Sequence, residues 1–100
     1  MNLSDNDLVI LQSYFARKPV RKAYLFGSSA RNEATAYSDI DILLELDHSK
    51  PIGMKFFAFQ PELEVLLKKK VDLLTNEGLS EYVKPFIDKD KILIYERSYD

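Results

Sequence analysis

Two carboxylates, Asp39 and Asp41, and a small-residue turn, Gly27-Ser28-Ser29, are the residues of this 100-residue chain whose types and spacing could do chemistry. On a strand, Asp39 and Asp41 share one face, while Ile40, Ile42 and Leu44 share the other. Their Cα atoms then stand about 6.5 Å apart. Two unit negative charges at that range repel by roughly 2–3 kcal/mol at an effective dielectric near 20. A hard divalent cation offsets that cost, and Mg²⁺ is the usual ion where carboxylates and substrate phosphates share the coordination. The plainer alternative has one Asp capping a turn after Ser38 and the other facing solvent. The glycine-serine turn upstream weighs against it.

That turn directly follows the apolar run Ala23-Tyr24-Leu25-Phe26, so a strand is expected to empty into a helix start, a phosphate-binding arrangement. Glycine permits close backbone approach, the Ser28 hydroxyl can donate to a phosphate oxygen, and the N–H groups that follow point the same way. An ordinary glycine turn with a serine cap would look alike. Arg31, one turn further on, is placed either to meet phosphate or to pair with Glu33 or Glu45. In Val71-Asp72-Leu73-Leu74-Thr75, Asp72 interrupts an apolar strand, which costs free energy unless something pairs with it. Beside the Asp41 strand it would join the two carboxylates. On an edge it would face water.

Gly27 and Ser28, ten intervening residues, then Asp39 and Asp41 form a pattern that resembles the DNA polymerase beta-like nucleotidyltransferase superfamily. The fuller string GSSARNEATAYSDIDILLEL resembles the minimal nucleotidyltransferase (MNT) family within it, with Ala30, Arg31 and Ser38 also matching. Asn32 stands where that family usually has glycine, and Asn tolerates positive φ well enough to keep the turn. The resemblance implies Asp39, Asp41 and Asp72 as catalytic and metal-binding residues holding two Mg²⁺ ions. It also implies that Gly27, Ser28, Ser29 and Arg31 hold ATP. Asp72 would help deprotonate an acceptor hydroxyl for in-line attack on the α-phosphate. It further implies an antitoxin, in a hetero-oligomeric complex with a HEPN-family RNase toxin, that transfers AMP to a tyrosine hydroxyl of that toxin. The alternatives are a non-catalytic antitoxin acting by occlusion, and nucleotidyl transfer to RNA or a small molecule.

The surrounding elements must position these residues. Leu3 to Pro19 reads as an amphipathic helix with Ser4 as N-cap, Asp5 and Asp7 in the first turn, and Leu8, Leu11, Phe15 and either Ile10 or Tyr14 buried. Val20 to Phe26 reads as the first strand. The loop Asn32 to Ser38 follows, with Tyr37 a candidate partner contact. From Ile52 to Lys70, Phe56, Phe59, Leu63, Leu66 and Leu67 recur at helical spacing around Pro61, giving a kinked helix or two helices with Pro61 in the first turn of the second. One or two short helices near Pro85, with Ser80 as cap, precede a fourth strand in KILIYE. The expected fold is α/β (α+β): a mixed sheet of about four strands flanked by helices, with residues 1–100 forming one minimal nucleotidyltransferase domain.

Composition narrows the function further. A chain of this length holds one core and no separate recognition domain, so the partner is expected to supply its own recognition. The formal net charge of −2 argues against broad nucleic-acid binding, and no direct DNA binding is expected. The absence of cysteine excludes thiol chemistry. His48 is the only histidine, which excludes a histidine zinc cluster, and it reads as a loop residue or a nucleotide or partner contact. With no signal peptide and no apolar run of membrane-spanning length, a cytoplasmic protein is expected.

Overall fold

The computed structural model describes residues 3–33, 39–49 and 52–98. The loop residues Tyr37 and Ser38 lie outside them.

Among the described residues four strands form one sheet in the order β3-β2-β1-β4. β1 (Val20–Phe26) pairs antiparallel with both β2 (Ile40–Leu46) and β4 (Ile92–Glu96), while β2 pairs parallel with β3 (Val71–Thr75). A parallel neighbour needs a long crossover. It is supplied by the segment that carries α2 (Phe59–Leu67).

α1 (Asp5–Ala16) starts at Ser4, whose Oγ accepts from the Asp7 N–H at 3.1 Å. It buries Leu11, Tyr14 and Phe15, with Leu8 and Ile10 packed at the margin. At its far end the Arg97 guanidinium donates to the carbonyls of Phe15, Ala16, Lys18 and Val20, tying the end of α1 to the start of β1. In the crossover, a 3₁₀ stretch (Gly53–Ala58) precedes α2, and Pro61 falls in the first turn of α2, where its missing N–H costs nothing. Phe59, Leu63 and Leu67 are buried, whereas Leu66 is exposed. α2 ends on Lys68 at φ +56, and the Glu64 carboxylate accepts the Val71 N–H at 3.0 Å, tying the entry of β3 to the helix. The Ile40 N–H donates to the Lys70 carbonyl at 2.9 Å beside it.

The main core lies between α1, α2 and one face of the sheet. There Ala23, Leu25, Ile40, Ile42, Leu44, Val71 and Ile94 meet the helical residues. Leu43, on the opposite face by strand alternation, is nonetheless fully buried, and Ile87 of α3 (Lys84–Asp90) is buried too. Pro85 sits in the first turn of α3, and the Ser80 hydroxyl accepts the Val83 N–H just before it. His48 is a loop residue that pairs with Glu77. Among the described residues no helix is long and apolar enough to cross a membrane.

Candidate active site

Strand register assembles the carboxylates. Phe26, the last residue of β1, stands opposite Asp41, so the chain turns at Gly27 directly beside that side chain. On the other side, the parallel pairing sets Asp41 opposite Asp72. The two side chains therefore share one sheet face across adjacent strands. β3 is an edge strand and Asp72 is exposed, as the edge alternative has it and unlike a residue of a buried strand, yet the same strand lies beside β2 and gives Asp72 the neighbour Asp41. Asp39 lies one residue ahead of β2 and is exposed.

Asp41 bears the electrostatic cost. Its carboxyl is held above the usual carboxylate range by partial burial first, then by the charges of Asp72 and Asp39, with Arg31 pulling the other way. Gly27 makes the crowding possible. At φ +71 it occupies the left-handed region, and a Cβ there would clash with Asp41 Oδ2 and lie 3.3 Å from Asp41 Cγ. Only glycine brings the backbone this close to the carboxylate.

The turn differs from the expected helix start. Gly27–Ser29 is a single 3₁₀ turn, and the N–H groups of both Ala30 and Arg31 donate to the Gly27 carbonyl, at 3.1 and 3.2 Å. They close the turn rather than pointing outward. Ser29 is buried at 2 % exposure, and Ser28 is half-buried. Asn32 adopts φ +61, so the residue in the glycine position does keep the left-handed conformation. Arg31 pairs with Glu33 at 3.1 Å, as one alternative held, but its second partner is Asp90 at 3.2 Å rather than Glu45. Asp90, 59 residues away in sequence, carried no local signal. Glu45 instead accepts from Asn76 Nδ2.

These residues fit a hard divalent cation through their chemistry: Asp41 and Asp72 present carboxylates to one another, with Asp39 at the strand head. Among the described residues no group of three or more His, Cys, Asp or Glu closes into a metal cage. Two facing carboxylates are within the one or two with which Mg²⁺ is ordinarily bound alongside substrate phosphates.

Comparison with known proteins bears on the fold and the family. A candidate protein adenylyltransferase of Methanocaldococcus jannaschii is 44% identical over 77 residues, spanning 75% of this chain and 76% of its own. A crystal structure of a toxin-antitoxin with AMP-PNP superposes with a TM-score of 0.73 at 18% identity, over 95% of this chain and 76% of that one. A tri-AMPylated Shewanella oneidensis HEPN toxin in complex with an MNT antitoxin gives 0.63 at 18% identity, over 92% and 71%. At that identity the two structures speak for the fold, a mixed four-stranded sheet with helices. The family model described as nucleotidyltransferase domain matches residues 8–94, which include the turn and all three aspartates. With that match over most of its length, the chain belongs to the nucleotidyltransferase domain family.

Proposed function

We propose that this nucleotidyltransferase is the antitoxin of a toxin-antitoxin pair and transfers AMP from ATP to a tyrosine hydroxyl of a HEPN-family partner. The observation that carries the reading is the pairing of Asp41 with Asp72 across parallel strands, at the point where Gly27 abuts Asp41. The AMPylated HEPN toxin in complex with the MNT antitoxin of similar fold supports the choice of a HEPN partner as the protein modified.

In this mechanism Ser28 donates from the Gly27 turn to the triphosphate, and Arg31 adds a guanidinium suited to phosphate oxygens. Asp39, Asp41 and Asp72 are the residues that would hold two Mg²⁺ ions, which when bound supply charge stabilisation for both the attacking and the leaving oxygen. Asp72, exposed on the edge strand, is open to the acceptor and takes the proton from its hydroxyl. The phenolic oxygen then forms a bond to the α-phosphorus as the bond to the bridging oxygen breaks, and pyrophosphate leaves. A cytoplasmic setting, where ATP is available, fits this reaction.

Incubation with ATP labelled at the α-phosphate, Mg²⁺ and a HEPN protein encoded beside this chain tests the reading. Label on the toxin, lost when Asp39→Asn and Asp41→Asn are combined, is the expected result. Toxin neutralisation that survives the double substitution without label would transfer the function to occlusion. Label in RNA or a small product would keep the enzyme and change the acceptor.

A further inference from the structure

We propose that Asp90, the last residue of α3, is a positioning residue for nucleotide binding: it anchors the Arg31 guanidinium beside the Gly27–Ser29 turn so that it meets the triphosphate. The inference rests on the nucleotidyl-transfer reading above and adds a residue from outside the motif. The main chain of Arg31 is fixed by its N–H on the Gly27 carbonyl, but a long flexible side chain remains free to sweep. Two carboxylates restrain it. Glu33 belongs to the same turn, its N–H on the Ser28 carbonyl at 2.8 Å, and its side chain is 62% exposed. Asp90 is 27% exposed and belongs to a different element.

That difference decides which partner can locate the guanidinium. α3 runs within two residues into β4, and β4 is hydrogen-bonded to β1 through the pairs Tyr24–Leu93 and Leu25–Ile92, immediately before Gly27. The Lys91 ammonium, 4.5 Å from the centre of the Tyr24 ring, seats the same junction on β1. Asp90 is therefore fixed to the strand that delivers the turn. It gives Arg31 a half-buried anchor on a separate element, whereas Glu33 offers a more exposed one on the same turn.

The proposal has a sign that simple electrostatics does not share. A carboxylate near a polyanion site repels the ligand, so by charge alone Asp90→Asn should tighten nucleotide binding. A positioning role predicts the reverse. The test is calorimetric binding of AMP-PNP with Mg²⁺, together with kinetics of AMP transfer to the partner, for the wild-type chain, Asp90→Asn, Asp90→Glu and Asp90→Asn in an Arg31→Ala background. The expected result for Asp90→Asn is a Kd and an ATP KM raised about tenfold, with kcat within about twofold. The melting temperature should stay within about 5 °C of wild type, because an exposed ion pair contributes little. Asp90→Glu should recover most of the affinity, and in the Arg31→Ala background Asp90→Asn should no longer weaken binding. Unchanged or tighter binding by Asp90→Asn overturns the proposal while leaving nucleotidyl transfer intact. A wild-type chain that neither binds AMP-PNP nor transfers label overturns the proposal together with the reading on which it rests.

Discussion

Gly27 and Gly53 allow the close approach at Asp41 to be separated from backbone strain. Both are glycines at positive φ, +71° and +51°. A Cβ at Gly53 meets nothing within 4 Å among the described residues, whereas one at Gly27 overlaps Asp41 Oδ2. Alanine at either position incurs the left-handed backbone penalty, about 1–2 kcal/mol. Reduced freedom of the unfolded chain returns roughly 0.4–1 kcal/mol of that. The net loss of about 1 kcal/mol lowers the melting temperature of a domain this size by about 4–8 °C. Only Gly27→Ala must also displace the Asp41 carboxylate, by about 1 Å to restore normal contact distance. A shift of that size in a reacting geometry costs about 10²-fold in rate, or about 2.7 kcal/mol. Thermal melts and initial rates of α-phosphate label transfer, run on both variants below their melting transitions, give the comparison. Similar melting shifts with activity lost in Gly27→Ala alone are expected. Full activity in Gly27→Ala, or equal activity loss in Gly53→Ala, would refute the claim that the turn is shaped by contact with Asp41.

Further substitutions probe the rest of the molecule. Asp41→Asn should abolish transfer yet melt at or above wild type at pH 7. The raised carboxyl of Asp41 means that the folded state binds its proton more tightly than the unfolded chain, so this group's stabilising contribution is present at acid pH and lost as pH rises through its folded pKa. The melting advantage of Asp41→Asn should accordingly shrink as pH falls through the carboxylate range, and an unfolded Asp41→Asn by circular dichroism at pH 7 would make the cluster structural. Arg97→Met should cost about 2–3 kcal/mol in urea melts, since it removes charge-assisted bonds to four carbonyls. Its transfer rate at 20 °C should be near wild type, because Arg97 lies at the end of the sheet away from Gly27. Leu63→Ala, at a fully buried position, should cost about 2–5 kcal/mol by the same measurement.

The sequence was most legible where its signal is local. The apolar run that ends VRKAYLF and the alternation in IDILLEL located β1 and β2, and Ser4 marked the start of α1. Gly27, Asp39 and Asp41 could be singled out because their spacing is short. Hidden features depended on elements meeting across the fold. Leu43 is buried on the face where alternation places Asp41 and Glu45, although no periodicity in β2 announces a cover on that side. Leu66 fits helical spacing but faces outward, because the buried surface of α2 runs through Phe59, Leu63 and Leu67. Asp72 was visible as an anomaly, and only the parallel register gave it Asp41 as a neighbour. Arg31 had two nearby carboxylates to choose from in sequence, and α3 brought a third.

The tie between Glu64 and the Val71 N–H bears on how the site comes into being. A hairpin of β1 and β2 can form from neighbouring residues and already holds Gly27, Asp39 and Asp41. Asp72 arrives only when β3 docks, after the chain has closed a crossover from Leu46 to Val71, a late step because distant contacts must first meet the entropy of loop closure. A slip of one residue in that docking would turn Asp72 into the core face and present Val71 or Leu73 in its place. The carboxylate of Glu64, from a helix on the opposite side of the sheet, fixes the first N–H of the arriving strand. A half-folded chain thus carries an incomplete site, and catalytic competence becomes a readout of completed folding.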